Sequence, residues 1–372
     1  MSHAAAPTSR VPVLGALSPV ARIAVIATLL VAFAAIFMDL VLHVEGTVVF
    51  VVAALAILGL AWVVGLSTER LGALTGPQVG GILNATFGNV AELIIAFFAL
   101  QAGLLTVVKA SITGSIIGNL LLVLGLSVFF GGRRNGIQKF SQRRAGQNAA
   151  LLVLAAIGLF VPAVFAASAS DAGADTLTEE SVLVAFALMV AYVLSLVWQF
   201  TNPERNLGGN EPAEGHGGPP WTIRAAVGVL LAAAALLTVL SEILVGAIDP
   251  FIEEFGLSEF FVGVVLIPTI GNLAEHLVAV QLAWKGKIEF AMAVCYGSSL
   301  QVALFVAPVL VLLGLIVGQP MNLVFHPLEV AAVAAAVGIS ALIALDGESN
   351  WLEGALLTIV YIILAISFFE LR

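Results

Sequence analysis

Glu92 and Glu275 are carboxylates set inside long apolar stretches, and each ends the same short pattern. Asn84-Ala-Thr-Phe-Gly-Asn-Val-Ala-Glu92 lies in one stretch, and Pro268-Thr-Ile-Gly-Asn-Leu-Ala-Glu275 lies in another, 183 positions later. With no gap, the same offset pairs Gly80 with Gly263, Leu83 with Leu266, Thr86 with Thr269, Ala96 with Ala279, Gly114 with Gly297 and Ser115 with Ser298. A carboxylate at bilayer depth costs about 2.5–3.5 kcal/mol on insertion scales and marks an ion or proton pathway. The same costly feature at matched positions points to two structural repeats that share one site between them.

Asn89 and Glu92 are three residues apart, as are Asn272 and Glu275, so each pair shares one helix face. An amide oxygen beside a carboxylate suits a hard cation such as calcium, which gathers several oxygen ligands. Two such faces meeting from opposite membrane directions would surround one point with two carboxylates and two amides, and two carboxylates match the charge of one divalent ion. When the ion leaves, two negative charges stay close in a low-dielectric site, so protons are expected to take its place. Around this pair, Gly80, Gly81, Gly88, Pro268 and Gly271 either interrupt a helix and free carbonyls as ligands or let helices pack closely. Asn84 falls near the Glu92 face. Its Asn-x-Thr sequon with Thr86 cannot carry a glycan inside a membrane span. Ser115, Asn119, Ser298, Ser299 and Gln301 put further polar groups at membrane depth, as ion ligands or as interhelical hydrogen-bond partners. His276 follows Glu275 where Leu93 follows Glu92, which breaks the symmetry. It either tunes proton release or lines the cavity as a hydrogen-bonded structural histidine.

The elements that must hold these residues are membrane helices. The chain has 372 residues, 61% hydrophobic and 10% charged, with mean hydropathy +1.12. A soluble domain carries about 25% charged residues. Runs long enough to cross a bilayer fall near 20–42, 46–66, 78–101, 107–130, 147–168, 181–200, 222–246, 258–284, 288–315, 327–345 and 351–370. The expected fold class is therefore an all-α polytopic membrane protein of eleven transmembrane helices. The first run is read as a retained span rather than a cleaved signal, because the small residues precede it. Twelve of the fourteen Lys and Arg fall with the N-terminus and the even-numbered loops, leaving Lys109, expected to snorkel, and Arg372 on the other side. That bias predicts a cytoplasmic N-terminus and a C-terminus on the opposite side. Acidic loops around Asp171–Glu180 and Asp249–Glu259 read as solvated faces. Asp346, Glu348, Trp351 and Glu353 read as anchors of the final turn. The motifs sit in spans 3 and 8, an odd number of spans apart, so the copies run in opposite directions. The expected organisation is a cytoplasmic N-terminus with the first helix at 1–44, a five-helix repeat at 45–200, a Gly/Pro-rich cytoplasmic linker at 201–221, and an inverted five-helix repeat at 222–372.

These residues resemble the signatures of the calcium/proton antiporter family within the calcium/cation antiporter superfamily. Gly88-Asn-Val-Ala-Glu-Leu-Ile-Ile-Ala96 is similar to its first signature and Gly271-Asn-Leu-Ala-Glu-His276 to its second. The likeness extends through Gly114-Ser-Ile-Ile-Gly-Asn-Leu-Leu-Leu-Val-Leu-Gly125, Gly297-Ser-Ser-Leu-Gln301 and Asn350-Trp-Leu-Glu-Gly354. The resemblance implies export of calcium in exchange for protons by alternating access. Glu92 and Glu275 would carry either ion, Asn89 and Asn272 would assist, and spans 2 and 7 would slide to gate the site. Only Glu204, Glu211 and Glu214 stand where family members often place an acidic helix, so regulation through that loop is not expected. The compact, Ala/Val/Gly-rich chain looks bacterial, which would place it in the inner membrane.

Sodium or potassium could replace either ion. Asn89, Asn272, Asn119 and Gln301 stand where exchangers of sodium tend to add hydroxyl and acidic ligands, which favours protons. A cation channel would need a continuous pore, usually from several identical subunits. An intramembrane enzyme lacks support, with no nucleophile elbow, no His-Glu-x-x-His and a lone cysteine, Cys295. The expected partners are calcium and protons as cargo and the lipid bilayer, with no cofactor and no nucleic acid.

Overall fold

The computed structural model describes residues 13–371 apart from 45, 77–78, 81–82, 84–85, 170–172 and 203–220. Asn84, Gly81, Asp171 and most of the expected linker lie outside the described residues. In lipid no water satisfies the backbone, so apolar segments must bond internally as helices. The long ones are α1 (Pro19–Leu40), α2 (Thr47–Thr75), α4 (Leu105–Asn135), α5 (Gln142–Ser168), α6 (Ala174–Thr201), α7 (Ile223–Gly246), α9 (Glu259–Trp284), α10 (Ile288–Val317) and α12 (Trp351–Glu370). These nine, among the described residues, are long and apolar enough to cross a membrane. Two shorter apolar helices, α3 (Val90–Gln101) and α11 (Pro327–Ile343), lie among them, and α8 (Ile248–Phe255) follows α7. The helix α2 runs well past the apolar run that ends near residue 66.

Burial orders these helices around a centre. The apolar window of α4 is 83% buried, against 17% for α1 and for α12. So α4 is the axis of the molecule, while Ile23 and Phe33 of α1 and Ile362 and Ile366 of α12 face outward. The helices α2 and α7 pack along each other, with α1 against α2. The packing is also crosswise, α9 against α2 and α3 against α7. Thus each motif-bearing helix leans on a long helix that is distant from it in the chain.

Backbone contact sets the crossing of α4 and α9. A Cβ at Gly114 would stand 2.1 Å from the Val264 carbonyl oxygen, and one at Gly263 would stand 2.6 Å from Ala110 Cβ. Small residues let the two backbones touch, as in other membrane helix pairs. Three stretches widen into π-turns: Gly118–Val123 in α4, Val262–Leu266 in α9 and Val302–Val306 in α10. The first and third end at matched positions, since Val306 lies 183 residues after Val123. Such turns recur at functional sites because they re-aim side chains and loosen the backbone ladder.

Contacts sort the loops into two groups. At one end, Thr47 donates to Glu254, and the Ser181 hydroxyl accepts from the Leu323 N–H at 2.9 Å. At the other, β1 (Gln138–Lys139) pairs antiparallel with β2 (Glu348–Ser349), and Asn135 donates to the Ala283 carbonyl at 3.2 Å. Lys139 also meets Glu348 at 3.2 Å, Arg144 meets Glu289 at 2.6 Å, and Trp221 packs with Leu66 and Leu71. Asn350 and Glu353 close a capping box that starts α12, satisfying N–H groups which lipid could not.

Lys109 does not snorkel. Its ammonium donates to Asn322 Oδ1 at 2.6 Å and to the Val324 carbonyl at 2.9 Å. One turn further along α4, Thr113 donates to Glu329 at 2.6 Å, and the other Glu329 oxygen accepts from the His326 N–H at 2.8 Å. Glu329 is buried, with the Lys109 charge as its electrostatic neighbour. The position is occupied by opposite charges that hold the 318–326 connection onto α4. Lys109→Met removes two hydrogen bonds from a charged donor to the 318–326 connection, each worth about 1.5–3 kcal/mol. Thermal unfolding in detergent should drop by several degrees, and an unchanged midpoint would reject this role.

Candidate functional site

The two motifs do not fold alike. In the first, Gly88 and Asn89 form a turn and α3 begins at Val90, so Glu92 lies in its first turn. A helix N-terminus favours negative charge there. In the second, a helix runs unbroken from Ile267 to Trp284, and Asn272, Glu275 and His276 sit within it, after the π-turn. Pro268 follows directly on the π-turn of α9, where the widened ladder accommodates its missing N–H, so the helix continues through it.

Glu92 is buried beneath the second motif. Its Oε1 accepts from the Ser115 hydroxyl on α4 and from the Asn272 amide on α9. A Cβ on Gly271 would stand 2.6 Å from Glu92 Cγ, so the second glycine is the floor against which the first glutamate lies. Glu92 Oε2 and Asn272 Oδ1 are shut away from solvent with no hydrogen-bond donor. Each such orphan costs about 1–3 kcal/mol. Together they offer a bare carboxylate oxygen and a bare amide oxygen at the junction of the two motifs.

A second chain of polar groups runs beside it. Asn119 donates to Ser298 at 3.0 Å, Ser298 donates to Asn89 Oδ1 at 3.0 Å, and Asn89 donates to Gln301 at 2.5 Å. This ties α3, α4 and α10 together at the level of the motifs. Glu275 is half-buried, with Ser298 and the Glu92 charge as its electrostatic neighbours. His276 is half-buried, and its Nε2 is closed off from solvent with no partner, so that nitrogen is not bonded structurally. Ser299 stands apart, because its hydroxyl donates back to the Cys295 carbonyl of its own helix at 2.9 Å.

Of the residues singled out in the sequence, Glu92, Asn272, Gly271 and Ser115 thus form one cluster and Asn89, Asn119, Ser298 and Gln301 form the neighbouring one. Gly88 occupies the turn before α3. Among the described residues no group of three His, Cys, Asp or Glu gathers that could hold a metal ion, so a cation here must also use amide, hydroxyl or carbonyl oxygens. Sequence reasoning passed over Ser111. With Ile112, Ser115, Ile267, Pro268 and Val302, it lines a narrow cavity beside Glu92. Its spacing of four from Ser115 on one helix was the available signal. Ala96 and Val306 line the same cavity, each about one turn toward the loops at 102–104 and 318–326. The cavity therefore runs from Glu92 toward that side of the molecule.

The chain is similar to known proteins along most of its length. The description of the sodium/calcium exchanger protein family matches residues 45–201 and 225–369. The "Ca(2+)/H(+) antiporter" of Aphanothece halophytica is 42% identical over 345 residues, covering 88% of this chain and 91% of that protein. A protein of the same name from Synechocystis sp. is 44% identical, covering 87% and 91%. The solved structure of native YfkE superposes with a TM-score of 0.80 at 37% identity, covering 94% of this chain and 99% of that one. The chain is a member of the sodium/calcium exchanger protein family.

Proposed function

We propose that the protein is a secondary transporter that exchanges calcium for protons by alternating access, with Glu92 and Glu275 binding either ion and Asn89 and Asn272 assisting. The observation that carries this reading is the pair of orphaned oxygens, Glu92 Oε2 and Asn272 Oδ1, at the point where the two motifs meet. A hard cation satisfies both, and a proton on the carboxylate satisfies one, so the same atoms accept either cargo. The names borne by the 42% and 44% identical relatives favour the same pair of ions. Calcium is cargo here, and no cofactor and no catalytic step is required.

The same reading has eleven spans, α1 to α7 and then α9 to α12, with α1 outside an inverted pair of five-helix units at 45–200 and 222–372. Support comes from the matched ends of two π-turns, from the two matched stretches of the family description, and from loop contacts that join alternate connections at each end. The Lys/Arg bias makes the end bearing β1 and β2 cytoplasmic, in a bacterial inner membrane. Sodium or potassium in place of protons is the second reading, and among the described residues no group of three carboxylate, histidine or cysteine side chains gathers there, which favours protons.

Proteoliposomes carrying a calcium gradient and an internal pH dye test this. Calcium movement should drive opposite proton movement with no other monovalent cation present. Calcium flux without proton counter-movement points to a channel, and flux that needs sodium or potassium points to the second reading.

A further inference from the structure

The end of α4 reads Phe129-Phe130-Gly131-Gly132-Arg133-Arg134, three doublets in succession. At helical spacing, residues 129, 132 and 133 share one face, and residues 130, 131 and 134 share the next. The first face meets α12. Phe129 contacts the Trp351 ring edge-on with centroids 6.5 Å apart, and the Arg133 guanidinium lies 6.0 Å from that ring's centroid. The second face meets α9. Phe130 contacts Trp284 at 6.5 Å, and the Arg134 guanidinium lies 4.8 Å from its centroid. The glycines admit both partners: a Cβ at Gly132 would stand 2.5 Å from the Trp351 nitrogen, and one at Gly131 would stand 2.9 Å from the Ala283 carbonyl oxygen. Two parallel columns result, each ordered phenylalanine, tryptophan, arginine.

These columns are open. Trp284 and Trp351 are each 46% exposed, and both arginines are exposed. Nearby Lys139 and Arg144 have carboxylate partners, whereas among the described residues Arg133 and Arg134 have none. An apolar wall thus rises into tryptophan and then into two uncompensated positive charges, which is the gradient from acyl chains to headgroups. We propose that the paired columns bind an anionic phospholipid, its phosphate on Arg133 and Arg134 and its upper chains against Phe130 and the two indoles. A zwitterionic lipid brings its own cation and leaves the two guanidiniums uncompensated. Trp284 is the last residue of α9, so the bound lipid braces the helix that carries Asn272 and Glu275.

Thermal unfolding of the purified full chain in nanodiscs tests this. Discs containing phosphatidylglycerol should raise the wild-type midpoint by several degrees over discs of phosphatidylcholine alone. Arg133→Gln with Arg134→Gln should lose most of that rise and still unfold at the wild-type temperature in phosphatidylcholine. Arg143→Gln, which removes an exposed cation that is not stacked on tryptophan, should keep it. Inorganic phosphate added to phosphatidylcholine discs should give no rise. An equal rise in the double variant overturns the proposal. So does equal destabilisation in both lipids, which makes the arginines structural, or a rise reproduced by inorganic phosphate, which makes the ligand a soluble anion.

Discussion

Glu92→Gln abolishes calcium-driven proton movement in proteoliposomes while the protein stays folded. The substitution keeps the shape of the side chain, and its amide oxygen can still accept from Ser115 and Asn272 as Glu92 Oε1 does. What it removes is one unit of negative charge and the proton site on Glu92 itself. Two unit charges about 4 Å apart interact by about 4 kcal/mol at an effective dielectric of 20, before the cost of desolvation is set against it. Even half of that is a loss of about thirtyfold in calcium affinity, since 1.4 kcal/mol is tenfold. Coupled exchange should stop, because a glutamine carries no proton in either direction and Glu275 alone does not match the charge of a divalent ion. The measurement is calcium uptake beside internal pH, with a thermal unfolding midpoint for the variant. Coupled exchange at the wild-type rate in a folded Glu92→Gln protein would remove Glu92 from the site, and Glu275→Gln provides the matching test for the second motif.

The sequence carries some of this and hides the rest, for physical reasons. Long apolar runs report helices directly, because lipid leaves the backbone no other choice. The repeated Gly-Asn-x-x-Glu reports that Glu92 and Asn272 deserve to be considered together, because a carboxylate at bilayer depth is too costly to recur at matched positions without cause. It does not report that the two copies fold differently. A turn at Gly88–Asn89 and an unbroken helix through Gly271–Asn272 arise from nearly the same residues, and their surroundings decide between them. The π-turns have no local signature either, because an extra residue in a turn is held by packing rather than by propensity. Lys109 reads as a snorkelling residue because its partners, Asn322 and Val324, are over two hundred positions away in the chain. The Phe–Trp–Arg columns are hidden for the same reason: the doublets are visible in α4, but their tryptophans come from two other helices.

Gly271→Ala should cost about a hundredfold in exchange rate, with only a small change in stability. The added methyl would stand 2.6 Å from Glu92 Cγ and 3.7 Å from Glu92 Cα, so the backbone contact is tolerable and the side-chain contact is not. Glu92 must swing its carboxylate away by most of an ångström, off the Asn272 amide that fixes it. Overpacking of this kind costs about 1–3 kcal/mol, part of which returns because alanine is the better helix former by about 1 kcal/mol. Misplacing a binding group by about 1 Å, in contrast, can cost about a hundredfold in rate. Gly297 supplies the control, because it too is a motif glycine within a helix, yet nothing lies within 4 Å of the Cβ it would gain. Gly297→Ala should transport at the wild-type rate and melt at the same temperature or slightly above. If glycine at these positions served only helix packing in general, the two variants would lose transport in proportion to lost stability. A folded Gly271→Ala protein that exchanges calcium as the wild type does would show that contact between the second glycine and the first glutamate is incidental to the site.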